Sequence, residues 1–396
     1  ILRSLKDQNY KKPTPIQAEV IPAVLNNSDI MAAAQTGTGK TAAFVLPILS
    51  KLSNPKYKYK GHQLRALIVT PTRELAAQVR ESVNTYSKYL SIKSTAVYGG
   101  ARIHNQRLKL RSGIDILVAT PGRLLDLHNQ KSVNLNNIEI LVLDEADQML
   151  DMGFIHDIKK IANLLPDRRQ NLMFTATFSD SFRSLAMNMA EKAIEISVTN
   201  DNETGENINH YIHPVDKSRK AELLIELIKT KKWDQALVFT RTKHGADRLQ
   251  KQLDKVNINS KAIHGNKTQN NRMKALEAFK NNKIQILVAT DVAARGIDIK
   301  RMSQVINFDV PTVAKDYIHR IGRTGRGGDM GEAITLVSAD EFRLLRDIEK
   351  LINKKLERVE IQGFEPEHLA PVTDKPIKKR FHNKKGFNKR SKSRKG

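Results

Sequence analysis

Ala34-Gln35-Thr36-Gly37-Thr38-Gly39-Lys40-Thr41 is the stretch whose reading decides the fold. Ile30-Met31-Ala32-Ala33 leads into it, and Ala42-Ala43-Phe44-Val45-Leu46 leads out. An apolar strand, a turn without bulky side chains and a helix start form the context of a phosphate-binding loop. Small residues let consecutive backbone N–H groups curl around phosphate oxygens, and the helix N-terminus adds its dipole. Thr36, Gly37, Thr38 and Gly39 would build that cradle, Lys40 would reach the β- and γ-phosphates, and the Thr41 hydroxyl would ligate Mg²⁺. Ala34 stands where the general pattern has its first glycine.

Outward from the loop, two segments repeat at one offset. Ala66-Leu67-Ile68-Val69-Thr70 aligns with Ala236-Leu237-Val238-Phe239-Thr240, and Ile116-Leu117-Val118-Ala119-Thr120 recurs as Ile286-Leu287-Val288-Ala289-Thr290, both shifted by 170. A looser pair, Ala96-Val97-Tyr98-Gly99-Gly100 against Ala262-Ile263-His264-Gly265, is shifted by 166. A shared register argues for two lobes of one architecture. Each lobe alternates apolar runs with amphipathic stretches, the pattern of a parallel sheet covered by helices. Strands are expected near 30–34, 66–70, 94–98, 114–119, 139–144 and 171–175, then near 208–214, 235–240, 260–263, 284–290, 303–308 and 332–337. The expected fold class is α/β, two parallel-sheet domains in tandem with a disordered basic C-terminal tail. The expected division is 1–199, a polar linker 200–207, 208–363 and a tail 364–396. Lobe two has no copy of Gly-Lys-Thr, so one nucleotide is expected in the cleft between two similar lobes.

The 396 residues carry 67 Lys and Arg against 42 Asp and Glu, a net charge of +25. Such an excess favours polyanions, nucleic acid first among them. Eleven of the cations, with no acid, fall between Lys375 and Gly396, a run that reads as a salt-sensitive RNA tether. No apolar run approaches the ~20 residues of a membrane span. Zero cysteines exclude a disulfide framework and a thiolate metal site, and fit a cytoplasmic setting. The eleven histidines show no ligand spacing, so no zinc site is expected. The chain opens with Ile1 in mid-pattern and is expected to be a truncated form.

The buried-strand pattern Ile138-Glu139-Ile140-Leu141-Val142-Leu143 ends in Asp144-Glu145-Ala146-Asp147. A carboxylate at such a strand end can hold Mg²⁺ through water, and its neighbour can orient the water that attacks the γ-phosphate. Asp144 is assigned to the metal and Glu145 to the general base. A solvated acidic helix start would also explain acids after a strand, but the phosphate loop upstream favours chemistry.

Asp144-Glu145-Ala146-Asp147 resembles the signature of the DEAD-box ATP-dependent RNA helicases of superfamily two, and further motifs follow in order over roughly residues 1–360. The chain looks most similar to the bacterial RhlE-like branch. The resemblance implies that Gln17 of Pro13-Thr14-Pro15-Ile16-Gln17 reads the adenine edge and that Tyr10 stacks on its face. Asn9 stands where the family usually has Gly. Thr175-Ala176-Thr177 replaces Ser-Ala-Thr and is expected to bond Asp147 through a hydroxyl, coupling hydrolysis to strand separation. In Tyr317-Ile318-His319-Arg320-Ile321-Gly322-Arg323-Thr324-Gly325-Arg326, the resemblance makes Arg323 and Arg326 arginine fingers and His319 a sensor near Asp147. It places Asp298 on the ribose hydroxyls and Arg295 between the lobes. RNA contacts are expected from Thr72, Arg73, Gly99, Gly100, Thr120 and Arg123 in lobe one, and from Arg241, Gln269, Arg272 and Thr290 in lobe two. Such donors suit phosphates and sugars, so binding should be blind to sequence. The resemblance implies two RecA-like domains in tandem, and the implied activity is RNA-stimulated ATP hydrolysis with local unwinding of short duplexes or remodelling of RNA–protein complexes. Two rival readings are an RNA clamp or annealing chaperone with incidental hydrolysis, and a DNA-directed helicase of the same superfamily.

Overall fold

The computed structural model describes residues 1–34, 38–54, 62–198, 208–294, 302–325 and 330–367. Two short helices, α1 (Leu2–Asp7) and α2 (Pro15–Leu25), precede the first sheet. Lobe one then runs β1 (Ile30–Ala33), α3 (Lys40–Leu52), β2 (Ala66–Val69), α4 (Arg73–Tyr86), β3 (Ser94–Val97), α5 (Ile103–Arg111), β4 (Ile116–Ala119), α6 (Pro121–Asn129), β5 (Ile140–Leu143), α7 (Ala146–Asp151), α8 (Ile155–Asn163), β6 (Gln170–Thr175), α9 (Asp180–Met189) and β7 (Ile194–Ser197). Lobe two runs β8 (Ile208–Pro214), α10 (Lys220–Thr230), β9 (Ala236–Phe239), α11 (Lys243–Lys255), β10 (Ser260–Ile263), α12 (Gln269–Lys280), β11 (Ile286–Ala289), α13 (Asp291–Ala294), β12 (Gln304–Asn307), α14 (Ala314–Ile321), β13 (Gly331–Val337), α15 (Phe342–Leu351) and β14 (Glu357–Arg358).

Each lobe holds a seven-stranded, wholly parallel sheet, ordered β3-β4-β2-β5-β6-β1-β7 and β10-β11-β9-β12-β13-β8-β14. The internal repeat survives as register. Ala66 pairs with Ile116 as Ala236 pairs with Ile286. Ala96 pairs with Val118 as Ala262 pairs with Val288, so the changed offset is taken up outside the strands. Strands β2, β4, β5, β9 and β11 are buried at every position, as helices on both faces require. In lobe one, Phe44 of α3 packs on Phe174 of β6 with ring centroids 5.1 Å apart, which fixes the helix that follows the phosphate loop.

Two strands lie outside the expected set. β7 buries only Ile196 of its four residues, and β14 is exposed at both of its two. Edge strands need no continuous apolar run, so nothing in their composition announces them. The polar segment 200–207 and the basic segment 375–396 lie outside the described residues. Phe364, placed in the tail by composition, packs on lobe two beneath Arg219, whose guanidinium sits 4.6 Å from the ring centroid. Among the described residues no helix is long and apolar enough to cross a membrane.

Candidate active site

The phosphate loop follows β1, and α3 starts at Lys40 with Gly39 as its cap at φ +94, a left-handed conformation that favours glycine. Gln35, Thr36 and Gly37 lie outside the described residues. The Lys40 ammonium is buried, and its Nζ has no hydrogen-bond partner among the described residues. A buried ammonium without a hydrogen-bond partner is costly, and a phosphate oxygen would satisfy it. Gln17 is buried beside the loop: Oε1 accepts from the Thr14 amide at 3.0 Å, and Nε2 donates to the Gly39 carbonyl at 3.2 Å. Gln17 thus caps α2 and braces the loop, while an amide retains one further N–H and one lone pair for a base edge. Tyr10 is partly exposed at the mouth of a cavity of about 460 Å³ that Gln17 also lines. Asn9 takes φ +56, the left-handed turn that a glycine would otherwise serve, and asparagine tolerates it better than most residues.

Beside the loop, β5 delivers Asp144 and Glu145. Both are buried, and Glu145 sits at φ +54, a strained conformation for a non-glycine residue. Burial first, opposed by Lys40 and reinforced by Glu145, pushes the Asp144 carboxyl from 3.8 up to about 7. Burial likewise raises Glu145, against the pull of Lys40 and then of Arg323 from lobe two; His319 pulls the same way more weakly. One Glu145 oxygen, Oε2, has no hydrogen-bond partner among the described residues. These groups fit a magnesium triphosphate. Among the described residues no three His, Cys, Asp or Glu side chains cluster as a metal cage. A lone carboxylate with a hydroxyl suits Mg²⁺, which keeps waters and phosphate oxygens in its shell.

The Asp144 shift has a direct consequence. Between pH ~4 and 7 the nucleotide-free folded state holds a proton that the unfolded chain releases, so stability falls as pH rises through that window. Asp144→Asn removes the penalty. Thermal melts without nucleotide and in EDTA are expected to show a higher Tm for the variant than for wild type at pH 7.5, with the difference vanishing near pH 4, while Mg²⁺-dependent turnover is lost.

Asp147 is tied to the end of β6, but not as expected. The Ala176 amide donates to Asp147 Oδ2 at 2.9 Å, whereas the Thr175 hydroxyl donates to the Thr177 carbonyl at 2.8 Å. A backbone N–H makes the link, which explains how threonine can stand at the first position of this motif.

Arg73 lies against Gly99 and Gly100, and a side chain at Gly100 would collide with its guanidinium. Arg123 Nη1 donates to the Ala101 carbonyl at 3.2 Å, drawing the next loop alongside. Thr72 caps α4 by accepting from the Leu75 amide at 3.3 Å, and Thr120 stands at the N-cap position of α6 without a side-chain cap bond. Thr290 opens α13, its carbonyl accepting from Ala293 and Ala294. These residues gather at the carboxyl ends of their strands, the binding edge of an open α/β sheet.

Three of the lobe-two residues expected on RNA also have protein partners. Arg241 Nη2 donates to the Val310 carbonyl at 3.0 Å and to Glu341 at 2.7 Å, inside lobe two. Gln269 Nε2 donates at 2.8 Å to Glu74 of lobe one, and Arg272 Nη2 meets the same carboxylate at 3.0 Å. Glu74 is the residue that sequence reasoning missed: it reads as an ordinary first-turn acid but is buried between the lobes. Among the described residues Gln269 Oε1 and Arg272 Nε lack hydrogen-bond partners. Breaking a buried pair from one side costs about 3–5 kcal/mol, and here the loss falls on the contact between the lobes. Glu74→Ala is therefore expected to raise at least tenfold the RNA concentration that half-saturates ATPase activity.

Arg320 was also passed over. It is buried, clasps Asp291 with two bonds of 2.6 and 2.8 Å, and donates to Asn307 Oδ1 and the Asp309 carbonyl. This seats α14, which presents His319 and Arg323 to the cleft. Asp298, Arg295 and Arg326 lie outside the described residues.

Two like lobes, one phosphate loop and a carboxylate pair facing cations from both sides define a two-lobed nucleoside-triphosphatase. The DEAD/DEAH box helicase model matches residues 14–185, and the helicase conserved C-terminal domain model matches residues 219–328. The chain is 41% identical over 361 residues to the DEAD-box ATP-dependent RNA helicase RhpA of Helicobacter pylori, covering 91% of this chain and 72% of that protein. It is 39% identical to the ATP-dependent RNA helicase DbpA of Bacillus subtilis, covering 96% and 80%. The chain belongs to the DEAD-box helicase family. Among solved structures, S. cerevisiae Dbp5 bound to RNA and ADP BeF3 matches with a TM-score of 0.78 at 32% identity, covering 91% of this chain and 93% of that one. A DEAD box protein of Methanococcus jannaschii is more similar in sequence, 38% identical, yet scores 0.52 over 91% and 96% of the two chains.

Proposed function

We infer that the chain is an ATP-dependent RNA helicase whose ATPase centre is completed across the cleft. The observation that carries this is the setting of Glu145, which feels Lys40 from its own lobe and Arg323 from the other. Lys40 and the loop amides bind the phosphates; Tyr10 and Gln17 take the adenine, and Asp298 the ribose. Thr41 and Asp144 would hold Mg²⁺, which when bound would supply positive charge against the phosphates. Glu145 accepts the proton of the attacking water, and Arg323 with Arg326 stabilises the charge that develops on the transferred phosphoryl group. Thr72, Arg73, Gly99, Gly100, Thr120, Arg123 and Thr290 hold an RNA strand by its backbone. Closure with ATP and RNA bends that strand and separates a short duplex; hydrolysis lets the lobes part.

The same reading takes 1–199 and 208–363 as the two domains, 200–207 as their linker and 364–396 as the tail. It keeps the RhlE-like branch and a cytoplasmic setting. The test compares ATPase rates with RNA, with DNA and with no polymer, and strand separation on a short RNA duplex with ATP and with a non-hydrolysable analogue. RNA is expected to stimulate at least tenfold more than DNA. Equal rates with and without polymer would remove the coupling.

A further inference from the structure

Tyr10 does not hold its place alone. Its ring meets Tyr86, the last residue of α4, edge to face, with centroids 6.1 Å apart and an interplanar angle of 84°. The two hydroxyls hydrogen-bond at 2.8 Å. Tyr86 packs against the core of lobe one, and burial raises its phenol well above the ordinary range, so it stays neutral and keeps its proton. The backbone before Tyr10 is fastened to the segment just beyond the same helix. Asp7 accepts from the Tyr89 hydroxyl at 2.7 Å and from Lys88 at 3.1 Å, and the Arg3 guanidinium lies 4.2 Å from the Tyr89 ring centroid. Those contacts fix the backbone but leave the side-chain torsions of Tyr10 free. Only Tyr86 bonds the tip of the Tyr10 ring among the described residues.

We propose that Tyr86 is a positioning residue for nucleotide binding: it pins the Tyr10 ring so that one face stays open to a purine over the cavity shared with Gln17. This rests on the reading of Tyr10 and Gln17 as the adenine site. A ring already held in its stacking orientation loses less rotational freedom when the base arrives. Tyr86 touches neither the phosphates nor the carboxylates, so its effect belongs to base affinity and not to the chemical step.

The test is the RNA-stimulated ATPase of the full chain carrying Tyr86→Phe, Tyr10→Phe, Tyr10→Ala or both Phe substitutions, with inorganic tripolyphosphate as competitor. Tyr86→Phe is expected to raise the ATP KM about three- to tenfold, the range of one net hydrogen bond, with kcat within twofold of wild type. Tyr10→Phe should raise KM equally, and the pair should be no worse than either alone, because both remove the same bond. The inhibition constant of tripolyphosphate, which has no base, should not move. A wild-type KM in Tyr86→Phe beside a raised KM in Tyr10→Ala would overturn the role of Tyr86 and leave the adenine site standing. A wild-type KM in Tyr10→Ala would overturn the adenine reading, and this inference with it. Parallel weakening of ATP and tripolyphosphate in Tyr86→Phe would mark general damage to the lobe and also overturn the proposal.

Discussion

Glu145→Gln is expected to bind ATP and RNA and to close, yet to hydrolyse about 10²–10⁴ times more slowly, the usual contribution of a positioned general base. The carboxylate has the properties the step demands. It is buried at the end of a rigid strand, one oxygen has no hydrogen-bond partner among the described residues, and its backbone is held in a left-handed conformation. Burial raises its affinity for a proton while Lys40 and Arg323 restrain the rise. Glutamine keeps the shape and cannot take a proton from water. Single-turnover hydrolysis together with binding of a fluorescent ATP analogue separates the two properties. Turnover close to wild type would remove Glu145 as the base.

Arg323→Ala is expected to cost about 10³–10⁵ in kcat, the range known for arginine fingers in phosphoryl transfer. Lysine should restore little of it, because an ammonium lacks the planar fork that meets two phosphate oxygens at once. The residue sits just past α14, whose seat is the buried Arg320–Asp291 clasp, so its reach is set before nucleotide arrives. The loss should appear in kcat at saturating RNA and ATP, while ATP affinity without RNA is little changed. A KM effect alone would make Arg323 a ground-state contact.

Much of this was legible in the sequence, because the informative features are local. The Gly-Lys-Thr context fixes β1, the loop and α3, and β-branched runs at one offset fix two sheets of the same order. Edge strands β7 and β14 were not legible, since a strand paired on one side needs neither length nor apolarity. Contacts between distant residues were harder. Gln269 and Arg272 carry RNA-compatible donors, and nothing in their types says that a buried Glu74 will engage them. Arg320 lies in a quoted motif, but only burial distinguishes a clasp from a finger. The Thr175 hydroxyl was expected on Asp147; an amide proved to be the donor, and amides carry no side-chain signal.

The most direct measurement is a crystal structure of the chain with RNA, Mg²⁺ and ADP with beryllium fluoride. The account predicts the Arg323 guanidinium at hydrogen-bond distance, about 3 Å, from the fluoride group that stands in for the γ-phosphoryl, with Glu74 still clasped by Gln269 and Arg272. A guanidinium turned away from that group while both lobes grip the RNA would contradict it.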